Sequence, residues 1–437
     1  MINGFFPTPY PDECLYSILC RYYARIGDPA YKKMSQIIFG TRQNLAATIY
    51  LPIKSERIDY WMPSESGITR FSIAANHTMC PYFTISSTLE LRAEVERILD
   101  GGIPTIRHDH RIVHKSMRSW LQYLRYCPLC VTEDINVYGE AYWHRKHQLL
   151  GSYYCTKHQV RLVNSRISIK QATWGFYPAS NEVQVDVTPV VADIFDKYKD
   201  KCLKIGQESE WLLENGLSID WQENGCDKYL LLFRDRKMAS IHGTRGYPTI
   251  LSDAVNDYWG SEFLDALFAG IRTSPKWLSC IYINKSMMSR FLPLQHILLM
   301  CVAKGSVKDF VSSEVVENPF GNAPYICENP ICVHYNDRSA ICTEFRNTSI
   351  EVIGIFHCLT CGMKYKKVKG TRAKGRVMVQ DYGHLWFSEL IRCSHDKNIS
   401  NFKTAEILKT SVTTIKKQKQ KLGLGGDKQA KGIETKI

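Results

Sequence analysis

Apolar residues near the start of the chain recur at the spacing of one helix face. The members of this face are Leu15, Ile18, Leu19, Tyr22, Tyr23 and Ile26. Pro11 suits the first turn of such a helix, and Gly27 is placed to end it. The pattern therefore predicts an amphipathic helix with Pro11 in its first turn and its end at Gly27.

Helical periodicity recurs along the first three quarters of the chain. Residues 89–99 predict a second helix, and a third around Met117, Trp120, Leu121 and Leu124 would lead straight into Cys127. Glycines act as stops between later helices. These later helices are predicted over residues 190–198, 208–214, 250–259, 262–268 and 293–303, with stops at Gly260, Gly270 and Gly305. The fold class that follows is mainly α and multidomain.

The pattern changes in the last quarter of the chain. Residues 350–356 are β-prone, as expected for a strand of a zinc ribbon. Residues 404–408 fit a short helix, and residues 409–411 fit a turn in which Ser411 is the N-cap of a second helix. Val412, Ile415 and Leu422 would form the inner face of that helix. This arrangement predicts a helix-turn-helix.

Sixteen cysteines are many for a chain with no secretion signal. No apolar run approaches the ~18 residues of a membrane span, and the N-terminus lacks the basic start and apolar core of a signal peptide. We therefore expect a cytoplasmic protein, in which cysteines do not form a disulfide framework. Their spacing instead indicates metal binding for eight positions, seven of them cysteines.

The first metal motif pairs Cys127-Pro-Leu-Cys130 with Cys155-Thr-Lys-His158. Two such half-sites about two dozen residues apart can close a four-ligand zinc site around a small loop. Ordinary buried cysteines are the alternative. His144 and His147 could share one helix face and bind metal, but with four ligands already present we expect them to pack beside the site.

The second metal motif pairs Cys327 and Cys332, in C-x4-C spacing, with Cys358 and Cys361, in C-x-x-C spacing. This is the four-cysteine set of a zinc ribbon. Three nearby side chains are rival ligands that the sequence leaves open. They are His334, Cys342 and His357.

Both motifs predict structural zinc ions, two per chain, and no enzymatic activity. Each site has four protein ligands and so lacks the open position that a catalytic zinc needs for water or substrate. The deaminase pattern is absent, because Pro128 follows the first cysteine instead of preceding it. A zinc-dependent hydrolase or nuclease is the alternative, but no nucleophile motif, P-loop or carboxylate cluster supports it.

The net charge of +13 is concentrated at the C-terminal end. Residues 364–376 contribute +7 and residues 401–437 contribute +6, so the rest of the chain sums to zero. A solvated basic tail is one explanation; the neighbouring metal motif and helix-turn-helix pattern favour DNA binding. Lysine and arginine suit phosphates, whereas threonine and glutamine suit base edges. The expected DNA contacts are Lys364, Lys366, Lys367, Lys369, Arg372, Lys374, Arg376, Thr413, Thr414, Lys416, Lys417, Gln418 and Lys421.

Several blocks of the sequence resemble the TnsD/TniQ family. They are Phe6-Pro-Thr-Pro-Tyr-Pro-Asp-Glu, His77-Thr-Met-Cys-Pro-Tyr-Phe, the stretch from Cys127 to His158 with its core Gly139-Glu-Ala-Tyr-Trp-His-Arg-Lys-His-Gln-Leu, Leu292-Pro-Leu-Gln-His-Ile-Leu-Leu, and the second cysteine motif. The resemblance implies a target-selection protein of a bacterial Tn-seven-type transposon, associated with the nucleoid. TnsD-like members bind a chromosomal attachment site as duplex DNA and recruit an AAA+ ATPase regulator, which brings in the transposase.

The shorter TniQ-type members of this family instead couple an RNA-guided CRISPR effector to transposition, and that is our alternative. A zinc-containing transcription regulator is a further alternative. Combined with the resemblance, the patterns predict five parts. They are a TniQ-like helical domain with a zinc site over residues 1–165, a helical domain over 185–310, a zinc knuckle with its basic run over 318–376, a helix-turn-helix over 382–424 and a flexible tail over 425–437.

Overall fold

A computed structural model describes the chain in thirteen segments. These are residues 6–27, 36, 38–39, 48–50, 68–86, 121–183, 193–221, 225–270, 277–278, 291–316, 318–348, 351–370 and 377–424. The predicted helix over residues 89–99 and the predicted tail over 425–437 lie outside the described residues. About half of the described residues are helical, and the strands form two small sheets. None of the described helices is long and apolar enough to cross a membrane.

The chain divides into two compact units. Unit 1 contains residues 1–238 and 244–314, and unit 2 contains residues 239–243 and 315–437. In the first part of unit 1, the elements are α1 (Leu15–Ile26), α2 (Arg70–His77), α3 (Cys80–Phe83), β1 (Tyr123–Tyr126), α4 (Pro128–Tyr138), β2 (Val163–Ser168), α5 (Ile169–Ala172) and α6 (Ala179–Glu182).

The predicted N-terminal helix is confirmed. The predicted face of Leu15, Ile18, Leu19 and Tyr22 is buried, but so is every other residue from Leu15 to Tyr22, and Gly27 ends α1 in the left-handed conformation. The placement of Pro11 in the first turn is wrong, because Cys14 is the N-cap and Pro11 lies in the turn before it. The 3-10 segment Lys146–Gln148 also belongs to this part of unit 1.

The helix predicted to lead into Cys127 is wrong where the structure describes it. Leu124 lies in β1, which pairs antiparallel with β2. Tyr123 and Tyr126 favour a strand, and the buried Arg125 guanidinium donates to the carbonyl oxygens of Leu149 and Ser152. Helical periodicity in the sequence does not indicate these tertiary contacts.

The second part of unit 1 is a helical assembly around a central buried helix. Its helices are α7 (Ile194–Lys197), α8 (Lys199–Asn215), α9 (Cys226–Asp235), α10 (Pro248–Trp259), α11 (Ser261–Gly270), α12 (Pro293–Lys304) and α13 (Val307–Ser312). All residues of α12 except Lys304 are buried. The predicted helices over 250–259, 262–268 and 293–303 are confirmed within two residues at each end.

Two helix boundaries in this region were predicted wrongly. The predicted helix over 208–214 is the end of the much longer α8. The helix predicted over 190–198 is only one turn long in the described residues, because Asp193 caps its start and Tyr198 has a non-helical conformation.

The described residues of unit 2 form a five-stranded antiparallel sheet and three helices. The strands are β3 (Tyr325–Ile326), β4 (Arg338–Asn347), β5 (Glu351–Cys358), β6 (Lys364–Gly370) and β7 (Met378–Asp381), adjacent in chain order. The predicted β-prone segment corresponds to β5, whose alternate residues are buried. The helices are α14 (Gly383–His395), α15 (Asn401–Ile407) and α16 (Val412–Lys421).

The three helices of unit 2 pack around one small core. Trp386 and Leu390 of α14 contact Ala405, Leu408 and Ile415 from the two following elements. The predicted N-cap is confirmed, since the Ser411 hydroxyl accepts from the backbone N–H of Thr414. The assignment of Leu422 to the inner face is wrong: it follows the last turn of α16 and is 43% exposed.

Candidate metal centres and nucleic-acid surface

The structure brings Cys127, Cys130, Cys155 and His158 together. Pairing of β1 with β2 places the start of α4 beside the turn formed by residues 155–158. Cys127 is the N-cap of α4 and Cys130 lies in its first turn, after a proline at N1. Sequence spacing determines each half-site, whereas the strand pair joins the two halves.

The distances within this first cluster fit a tetrahedral metal ion. With Zn–S near 2.3 Å and Zn–N near 2.0 Å, tetrahedral ligands lie about 3.8 Å apart for two sulfurs and about 3.5 Å for sulfur and nitrogen. The Sγ atoms of Cys130 and Cys155 are 3.8 Å apart. His158 Nδ1 lies 3.5, 3.3 and 3.7 Å from the sulfurs of Cys127, Cys130 and Cys155. The residues present therefore fit the ion.

A carboxylate outside the cluster orients the histidine. His158 Nε2 donates to Glu133 Oε1 at 3.0 Å, which leaves Nδ1 facing the three sulfurs. A metal-bound histidine is commonly held in this way through its other ring nitrogen. Lys157 also pairs with Glu133. This ion pair and, to a smaller extent, the hydrogen bond with His158 lower the pKa of the Glu133 carboxyl group.

His144 and His147 lie beside the first cluster and do not share one helix face. His147 is in the 3-10 segment, whereas His144 forms an isolated bridge with Glu13. His144 Nε2 donates to Asp134 Oδ2 at 2.9 Å. Burial lowers the pKa of His144, but Asp12 and Asp134 outweigh this and raise the pKa to about 9. Burial lowers the pKa of His147 to about 4.

The second cluster joins two loops of unit 2. Cys327 follows β3 and Cys332 lies in the next loop, while Cys358 ends β5 and Cys361 lies in the turn before β6. All four are buried, and their sulfurs lie within 4.8 Å of one another. Cys327 Sγ and Cys361 Sγ are 3.8 Å apart, a separation that fits two sulfur ligands of one tetrahedral metal ion.

The three rival ligands lie outside the second cluster. Cys342 is on β4, where its thiol donates to the carbonyl oxygen of Glu344. His357 precedes Cys358 on β5, so the two side chains point to opposite faces. The His334 side chain is 45% exposed and lies 3.9 Å from Asp337. Of the residues that the structure describes, only the four cysteines form this cluster.

One thiol of the second cluster is already shifted toward the metal-binding form. Burial raises the pKa of Cys358, but the backbone N–H of Cys361 and the Ser339 hydroxyl outweigh it and lower the pKa to about 6. A thiolate is the form that binds zinc.

The four lysines of β6 lie on two faces of the sheet. Lys367 forms a 2.5 Å ion pair with Glu328, and Lys369 donates to the carbonyl oxygen of Pro319. Lys364 and Lys366 point to the opposite face from the buried Tyr365. Arg372, Lys374 and Arg376 lie outside the described residues.

The proposed DNA-contacting side chains of α16 lie on its outer surface. Ile415 is buried in the three-helix core and Val412 packs against it, while the proposed contact residues are exposed or half-buried. These contact residues are Thr413, Thr414, Lys416, Lys417, Gln418 and Lys421.

Sequence reasoning missed two parts of these sites. Glu133 and Asp134 orient His158 and His144 from α4, but acids near a cysteine motif carry no distinctive signal. It also missed α14, although Trp386, Leu390 and Cys393 have the i, i+4, i+7 spacing of a helix face and all three are buried.

The architecture defines a class of protein: a multi-unit helical chain with two closed, buried four-ligand clusters and a basic three-helix region. A family model described as Tn7-like transposition protein D, TnsD, matches residues 205–436, and a second family model, TniQ, matches residues 4–162. The chain belongs to the TnsD family.

One relative carries the same family name. The transposon Tn7 transposition protein TnsD of Escherichia coli is 29% identical over 153 residues. The match spans 35% of this chain and 30% of the relative.

Proposed function

We propose that this chain is a target-site selection protein of Tn7-like transposition. It binds double-stranded DNA at a chromosomal attachment site and recruits an AAA+ regulator and, through it, the transposase. The single observation that carries the proposal is the TnsD match over residues 205–436, which includes the second cluster and the helices of unit 2. The relative's name supports the link to transposition.

DNA binding is assigned to α16 and to the basic residues before α14. The capped start of α16 offers Thr413 and Thr414 beside Lys416 and Lys417. Recognition helices read base edges with residues near their N-terminal end, while lysines contact phosphates. Gln418 and Lys421 extend the same surface, and residues 364–376 add positive charge.

Two zinc ions are assigned to the buried clusters, where they would close loops and supply no reaction step. Each ion has four protein ligands, which is the arrangement of structural zinc. Because these ligands come from separate loops, metal binding contributes directly to folding. The chain is therefore proposed to act by binding alone, without catalysis.

The N-terminal part is proposed to contact the transposition machinery. Residues 4–162 match the TniQ model, and this match also supports the alternative function. In that alternative, the chain couples an RNA-guided CRISPR effector to transposition and does not find DNA by itself.

A footprint on host chromosomal DNA separates the two functions. Purified full-length chain should protect one attachment site and bind it more tightly than a shuffled duplex of equal length and base composition at the same salt concentration. Matched salt is needed because phosphate contacts alone give nonspecific affinity. Equal affinity for both duplexes would contradict the proposal, and protection that appears only with an RNA-guided complex would support the alternative.

A further inference from the structure

Two histidine rings lie beside the sulfur of Cys130. His158 Nδ1 is 3.3 Å from this sulfur and His147 Nε2 is 3.7 Å from it. The ligand atoms of the first cluster all lie within 4.8 Å of one another, and His147 is not a member of that group. His147 therefore contacts the cluster from outside its ligand set.

The protonation of the His147 ring is constrained by burial. The residue is 2% exposed, and within the described part of the chain its Nδ1 atom has no hydrogen-bond partner. A neutral imidazole carries one N–H. A proton on Nδ1 would be a buried donor without an acceptor, which is unfavourable. A proton on Nε2 instead faces the sulfurs of the cluster, 3.7 Å from Cys130 Sγ and also within hydrogen-bonding contact of Cys155.

A donor is needed at this position for electrostatic reasons. Three thiolates, one neutral histidine and one divalent ion carry a net charge of −1. The three cysteines are almost fully buried, so water does not solvate this charge. Hydrogen bonds from N–H groups to the sulfurs offset part of the cost, and bonds to charged acceptors are stronger than neutral ones.

The His147 ring is held in place by its neighbours. Its centroid lies 4.7 Å from that of His144, which is fixed by the hydrogen bond to Asp134 on α4. The same helix carries Cys130. The donor and its sulfur acceptor are thus positioned by one connected set of contacts.

We propose that His147 is a positioning residue of the first cluster, donating Nε2–H to the Cys130 thiolate and slowing loss of the metal ion. The inference rests on the proposed metal binding at this cluster. Metal release requires the bond between the ion and the Cys130 sulfur to break. Hydrogen bonds from neighbouring side chains to metal ligands hold those ligands in place, and their loss commonly lowers metal affinity about 10- to 100-fold.

Zinc release from the full-length chain tests the proposal. Zinc transfer to a colorimetric chelator in excess should show two phases, one for each cluster. In His147→Ala, one phase should become about tenfold faster or more, as expected for loss of a hydrogen bond to a charged group. His147→Gln keeps an amide N–H at similar reach and should restore most of the slow release.

The controls separate this inference from the proposed function. His334→Ala removes an exposed histidine beside Cys332 and should leave both phases unchanged. A wild-type chain that holds fewer than two zinc ions would contradict the metal assignment itself. With two ions bound, an unchanged rate in His147→Ala, or equal acceleration in the Ala and Gln variants, would overturn the role of His147.

A measurement on the wild-type chain avoids any folding defect of the variants. In zinc-loaded protein labelled with nitrogen-15 in histidine, the long-range proton–nitrogen spectrum reports the tautomer of each ring. We expect His147 to carry its proton on Nε2. A proton on Nδ1 would overturn the proposal.

Discussion

A Cβ atom on Gly383 would lie 2.3 Å from the backbone carbonyl oxygen of Cys361. Gly383 begins α14, and the backbone N–H of Leu385 donates to the same carbonyl at 3.3 Å. The first helix of the three-helix region thus packs directly on the second cysteine loop. Only glycine permits this approach, because any other residue has a Cβ atom. The φ of +80° is a second reason, since residues with a Cβ atom are strained in this conformation.

Gly383→Ala should therefore destabilise unit 2. Left-handed backbone costs about 1–2 kcal/mol for a residue with a Cβ atom, and forcing an atom into packed backbone adds about 1–3 kcal/mol. Gly321→Ala is the matched control, since its φ is +92° and no atom lies within 4 Å of a Cβ there. Thermal unfolding should show a larger decrease in melting temperature for Gly383→Ala than for Gly321→Ala. Equal decreases would mean that the contact with Cys361 contributes nothing to the destabilisation.

Cys130→Ser should remove one zinc ion and unfold the part of unit 1 around the first cluster. The free energy of binding a structural zinc ion is folding free energy, of order 10 kcal/mol in small zinc domains. Cys301→Ser is the control, because Cys301 is a buried cysteine of α12 outside both clusters. Metal content by atomic emission should be one ion for Cys130→Ser and two for the control. Two ions and unchanged thermal stability in Cys130→Ser would disprove the ligand assignment.

Replacing Lys416 and Lys417 with alanine should weaken DNA binding and its dependence on salt. Each lost phosphate contact lowers the slope of log K against log salt by about 0.9 for duplex DNA. Lys403→Ala is a control, since Lys403 lies on α15 and pairs with Glu406 at 2.9 Å. Binding titrations at several salt concentrations measure the slope. A slope identical to wild type would place α16 away from the DNA backbone.

Acid should destabilise unit 1 through His77. Burial lowers the pKa of His77 from 6.5 to about 4, although its Nδ1–H donates to the Glu13 carbonyl oxygen at 2.8 Å. The unfolded chain therefore takes up the proton first as the pH falls. This contribution to stability is complete above pH 6.5 and is lost progressively toward pH 4, by at most about 3 kcal/mol.

His77→Asn isolates that contribution, because the asparagine amide can donate to the same carbonyl but does not titrate. The free energy of unfolding, measured with urea at several pH values, should fall less between pH 6.5 and 4.5 in the variant than in wild type. His395→Asn changes an exposed histidine and should leave the wild-type pH dependence intact. Parallel curves for His77→Asn and wild type would rule out His77 as the source.

Local patterns in the sequence predicted local structure well. The helical face from Leu15 to Tyr22, the left-handed Gly27 and the Ser411 cap all follow from side-chain period and backbone chemistry within a few residues. The predictions for Leu124 and Leu422 are wrong. Leu124 lies in a strand because β1 pairs with β2, and Leu422 lies outside the core because the packing partners of α16 end before it. Both outcomes depend on residues distant in sequence.

The sequence by itself determined the two halves of each cysteine cluster, the helical segments and the location of the positive charge. These properties depend on residue type and short spacing. The tertiary structure alone decided that β1 and β2 join the first cluster, that His147 lies against Cys130 and that Gly383 packs on Cys361. These relationships depend on backbone approach and burial between segments far apart in the chain, which no local pattern encodes.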